Sequence, residues 1–152
     1  MASPNPFGRE DISSEYFIHR DLQERAATIV EEVRGEWRRA QHVEPCVIAW
    51  PEDGVRGDDG SVIDRAVLCR LPQLTAMQRY DILQGMVKRT KAYGLLLVLP
   101  GLDDIRVLFE TRHGARAWVM RLERHGDVTV CCEPAVQDNA ECVGLLWKPA
   151  RN

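Results

Sequence analysis

Long apolar runs are missing from this 152-residue sequence. The longest, Leu95 to Pro100, falls far short of the roughly 20 residues a bilayer-crossing helix needs, so no membrane span is expected. A secretion signal is missing as well. The first ten residues are polar and include Glu10, where a positive n-region and an apolar h-region would stand. Neither sign of charge dominates: the net charge is −3, too small to mark a nucleic-acid binder outright. There is no Cys-x-x-Cys pair and no zinc-type Cys/His spacing among the five cysteines at 46, 69, 131, 132 and 142. An odd number of thiols without a secretion signal reads as reduced cysteine buried in strands, and hence as a cytosolic protein. Adjacent Cys131 and Cys132 would point to opposite faces of a strand and cannot share a metal. Walker A, Gly-x-Gly-x-x-Gly and His-Glu-x-x-His patterns are absent too, and no metal or cofactor is expected.

What is present is ordinary globular material, 45% hydrophobic and 28% charged. The length suits one domain, which should bury roughly 68–70% of the surface its unfolded chain exposes. Residues 1–12 are expected as a flexible arm, 13–148 as a single domain and 149–152 as a tail. Charge is unevenly spread. Residues 76–125 hold nine of the twenty Lys and Arg against five acids, whereas every other stretch is acidic.

Leu22, Ala26, Ile29, Val33, Trp37 and Ala40 form one apolar stripe at helical spacing. They predict a helix from Ser13 or Ser14 to Ala40. Pro45–Trp50 and Ser61–Leu71 read as strands joined by an acidic, Gly-rich connection. Thr75 opens a second helix with Gln78 at capping-box spacing, and Gly94 is expected as its left-handed C-terminal residue. Met77, Tyr80, Leu83 and Val87 supply its apolar face. Leu95–Leu99 follows as a strand covered on both sides. Strand, helix and strand would make a β–α–β unit.

Residues 104–124 read as a hairpin around a two-residue loop, His113-Gly114. That register pairs Phe109 with Trp118, Val107 with Met120 and Ile105 with Leu122 on one inward face. A three-residue loop, Arg124-His125-Gly126 with Gly126 left-handed, would then pair Leu122 with Val128 and Met120 with Val130. After Pro134 a polar loop is expected, followed by a last strand at Cys142–Trp147. The fold class is therefore α+β: a mixed, mostly antiparallel sheet of six or seven strands. Two amphipathic helices should pack mainly on one face, in two layers.

Several short motifs dissolve on inspection. His19-Arg20-Asp21-Leu22 matches the start of a kinase catalytic loop, but Ala26 stands where the metal-binding Asn belongs. Arg56-Gly57-Asp58 reads as a solvated loop, and the acids around it lack the EF-hand order. The two Arg-His-Gly triplets place His113 and His125 at opposite ends of a strand, about 30 Å apart. No Ser or Cys has an identifiable His/Asp partner.

The outward face of the 104–124 hairpin remains. It carries Arg106 opposite Arg121, Arg112 further along, and a Leu108–Val119 aliphatic pair. Like charges facing each other across strands are destabilising unless something answers them. A mixture of Arg and aliphatic residues fits a protein interface better than a nucleic-acid platform, which would use exposed aromatics. The expected function is that of a small cytosolic, non-catalytic interaction or regulatory protein. Arg106, Leu108, Arg112, Val119 and Arg121 would bind a protein partner or a second copy. The alternatives are binding of nucleic acid or a phosphate ligand by the basic segment, through Lys88, Arg89 and Lys91, and an enzyme of unrecognised type.

Overall fold

The computed structural model describes residues 9–52, 66–71, 75–139 and 143–148. Among these residues two helices and seven strands follow one another as α1 (Arg9–Ala40), β1 (Cys46–Pro51), β2 (Val67–Arg70), α2 (Ala76–Thr90), β3 (Ala92–Pro100), β4 (Asp104–Thr111), β5 (Gly114–His125), β6 (Val128–Cys131) and β7 (Ala135–Asp138). They build an α+β fold on one sheet of order β2-β1-β3-β4-β5-β6, with β7 also beside β5. Every ladder is antiparallel. β2 and β3 run in the same direction, as a β–α–β unit requires, but β1 lies between them and pairs with both. Among the described residues no helix is long and apolar enough to cross a membrane.

α1 starts at Arg9, earlier than its apolar stripe announces. Leu22, Ala26, Val33 and Trp37 are buried as the spacing predicts, joined by Ile18 and Val30. They pack on Leu96, Val98, Ile105, Val107, Phe109, Trp118 and Met120. The alternate strand residues Val47, Ala49, Leu95, Leu97, Leu108 and Ala117 form a second cluster with Leu83 and Met86 of α2. Successive strand residues point to opposite faces. The two helices therefore lie on opposite faces of the sheet, where both were expected mainly on one. β3, buried along most of its length, is covered on both sides as its unbroken apolar run implies.

The Thr75–Gln78 capping box is present in full. The other end of α2 differs from expectation. Lys91, not Gly94, takes the left-handed conformation, with φ 49°. Gly94 lies in β3, where a β-carbon would come within 3.1 Å of Leu22 Cδ1 and 3.3 Å of the Trp50 ring. Close approach of α1 to the sheet is what requires glycine there. Met77 and Tyr80, assigned to the apolar face of α2, are exposed; Met86 is buried in their place.

The β4–β5 hairpin forms, but two residues out of the expected register. Its loop is Arg112-His113, with Thr111 opposite Gly114, Val107 opposite Trp118 and Ile105 opposite Met120. An even slip preserves which residues share a face, so the inward set survives while the partners change. The Thr111 hydroxyl fixes this turn by accepting the His113 N–H at 3.0 Å. At the next turn Gly126 is left-handed, φ 68°, as expected. The loop is Gly126-Asp127, however, and Leu122 faces Cys131. This odd slip turns Val128 and Val130 out to solvent and Cys131 into the α1 core.

β6 and β7 lie end to end along one edge of β5. Between them the Cys132 N–H donates to the Arg121 carbonyl at 2.8 Å. β7 replaces part of the polar loop expected after Pro134. Its four side chains are all exposed, so its composition carries no strand pattern. The strand expected at Cys142–Trp147 is irregular over its described part, residues 143–147, with bends at 144–146. Residues 61–65 and most of the acidic connection before them lie outside the described residues.

Candidate functional site

The outward face of β4 and β5 divides into a covered and an uncovered part. Where it is covered, Leu108 and Ala117 are buried beneath Val143, Leu145 and Leu146. A single side chain fastens that cover. Glu110, fully buried, accepts N–H groups from Val143 at 2.7 Å and Gly144 at 3.1 Å on Oε1. Its Oε2 accepts from Leu145 at 3.0 Å, Leu146 at 2.6 Å and Trp147 at 3.0 Å. Successive backbone N–H groups wrapped around one carboxylate make an anion nest, here filled by the protein itself. Leu108 is therefore a core residue, and the expectation that it binds a partner from the surface is corrected.

Further down the same face the cover stops. Arg106 is opposite Val119, and Arg121 is opposite Asp104, so the expected Arg106–Arg121 pairing does not occur. Each guanidinium instead meets a carboxylate of its own strand, Arg106 with Asp104 at 3.2 Å and Arg121 with Glu123 at 3.1 Å. The like-charge conflict inferred from sequence is a product of the two-residue slip. The ladder carries this face onto β6, pairing Glu123 with Val130 and His125 with Val128, and His125 Nε2 lies 3.4 Å from Glu123. Val119 is half-buried, while Val128 and Val130 are 61% and 42% exposed. The strip thus holds three valines among charges of both signs. Arg112 is not part of it. It sits exposed in the β4–β5 turn, at the other end of the hairpin, beside Lys88 and Lys91.

That end also holds a polar cavity of about 440 Å³, lined by His19, Arg20, His113, Arg116, Asp138 and Asn139 among others. His19 is buried and shares a 2.6 Å hydrogen bond between Nδ1 and Thr111 Oγ1. That oxygen also accepts the His113 N–H, so one hydroxyl holds both the His19 ring and the turn. Burial, then the neighbouring His113 and Arg116, lower the His19 pKa to about 4. So weak a base, held against a fully buried threonine, suits a structural role better than proton transfer near neutrality. Asp138, the acid in this cavity nearest to such a role, is held by a two-point ion pair with Arg116, which keeps its carboxyl below the usual range.

Comparison with protein-family models, curated proteins and solved structures finds no match. The residues alone carry the functional reading. Among the described residues no cluster of His, Cys, Asp and Glu has the geometry to hold a metal. Cys46, Cys69, Cys131 and Cys132 are free thiols, with Cys131 buried and the rest half-buried. Desolvation, the largest effect on both, raises the pKa of Cys46 and of Cys131, which leaves them poor nucleophiles. His113 and His125 flank β5 at its two ends, and the rings beside His113 are those of His19 and Tyr93, each at 6.3 Å between centroids. Sequence reasoning missed the pairing of His19 with His113 because 93 residues of chain separate them, and neither the His-Arg-Asp-Leu run nor the Arg-His-Gly triplet points to the other.

Proposed function

We propose that this protein is a small, non-catalytic interaction protein that pairs with a second copy of itself across the lower outward face of β4, β5 and β6. The observation that carries the reading is where coverage ends. α2 covers the β1 and β3 part of this face and residues 143–146 cover Leu108 and Ala117. Among the described residues nothing covers Val128 and Val130, two neighbouring exposed valines of one edge strand. Charges favour a second copy as the occupant. Arg121 and Glu123 stand on the same face of one strand, so a two-fold axis through the strip sets each against its opposite in the other copy. The free thiols support a reducing compartment, the cytosol.

Light scattering across a concentration series tests this. The native chain is expected to approach twice its monomer mass, and Val128→Glu, a change at an exposed position, to stay monomeric with an unchanged circular dichroism spectrum. Val119→Glu should act in the same direction. A monomer at every concentration, or a dimer indifferent to both substitutions, overturns the reading.

A further inference from the structure

At the opposite end of the hairpin, independently of that strip, three cations from two segments converge on a notch of about 340 Å³. Lys88 comes from the last turn of α2, Lys91 from its cap and Arg112 from the β4–β5 turn; among the described residues lining the notch, Glu52 is the one acid. The buried Tyr93 and the stem of Val87 form its apolar wall.

Cations near a helix C-terminus complement its dipole, and that accounts for Lys88. It does not account for Arg112, which belongs to another element. Nor does it account for lysine at position 91. The cap there is left-handed, φ 49° and ψ 56°, with its N–H bonded to the Val87 carbonyl. Glycine or asparagine takes that conformation at little cost, whereas lysine meets a steric penalty from its β-carbon. Backbone strain of this kind is kept where the side chain is needed. We infer that the notch binds the phosphate group of a small phosphate ester, with Lys88, Lys91 and Arg112 donating to its oxygens and the Tyr93 wall meeting the organic part. Two ammonium groups and one forked guanidinium suit a tetrahedral dianion, and the volume suits a small molecule better than a polymer.

The test is an amide NMR titration with inorganic phosphate, pyrophosphate and a short single-stranded oligonucleotide, alongside thermal melts. Saturable shifts centred on residues 88, 91 and 112 are expected with phosphate and pyrophosphate. Arg112→Gln should weaken that binding by about tenfold at an unchanged melting temperature. Lys91→Gly should weaken it similarly while raising the melting temperature by about 2 °C, because the strain is relieved. A merely dipole-complementing lysine would not trade stability against affinity in this way. Three results overturn the inference: no saturable response to phosphate or pyrophosphate, unchanged affinity in Lys91→Gly, or binding confined to the oligonucleotide.

Discussion

Replacing Glu110 by glutamine should unfasten the C-terminal cover of the sheet. The carboxylate accepts five backbone N–H groups, two on Oε1 and three on Oε2. An amide keeps one oxygen and turns an NH₂ group toward N–H donors that it cannot satisfy. The substitution thus strands at least the two donors on Oε1, or the three on Oε2 if the amide flips. Each lost hydrogen bond to a carboxylate is worth about 1.5–3 kcal/mol, and the stranded donors are not additive. The loss is capped, because the chain can release residues 143–148 and leave Leu108 and Ala117 to solvent instead. An overall destabilisation of about 3–4 kcal/mol follows. Urea unfolding measures it, and hydrogen exchange localises it: amides 143–147 should lose protection before the rest of the sheet. A change below 1 kcal/mol, or uniform loss of protection with no early opening at 143–147, would refute the clasp.

Two further predictions concern the α1 side. His19 titrates near 4 in the fold, below its ordinary 6.5, so the unfolded chain binds more protons in that window. Its contribution, at most about 3 kcal/mol, is complete above pH 6.5 and fades as the pH falls to 4. His19→Gln should therefore flatten stability against pH between those limits relative to the native chain, and parallel curves for the two proteins would contradict this. Gly94→Ala should destabilise by about 1–3 kcal/mol, since the added methyl meets Leu22 and Trp50 at little over 3 Å. An unchanged urea midpoint would show that α1 can shift to accommodate it.

Much of this architecture is legible in the residues, and the failures share physical causes. The α1 stripe, the Thr75–Gln78 cap and the inward phase of Val107, Phe109, Trp118 and Met120 all follow from local periodicity. The β4–β5 register does not. A slip of two leaves the same side chains on the same face, and the Thr111 hydroxyl that decides between them is an ordinary polar residue in a strand. β7 escaped detection because an edge strand with four exposed side chains needs no apolar alternation. Of the expected binding residues, Arg106, Val119 and Arg121 share the uncovered strip. Leu108 is lost to the core and Arg112 to the opposite end. The Glu110 clasp was illegible for a different reason: its partners are backbone amides, which every residue but proline possesses. The exposed valines of β6 were hidden by a three-residue register error at a turn; an odd slip reverses every side chain after it.

Methyl NMR spectra recorded on dilution test the self-pairing most directly. Resonances of Val119, Val128 and Val130 should move together along one concentration-dependent curve, while those of Val107 and Leu108, buried on either face of β4, stay fixed. Valine signals that are indifferent to concentration, or movement centred on another surface, would contradict the account.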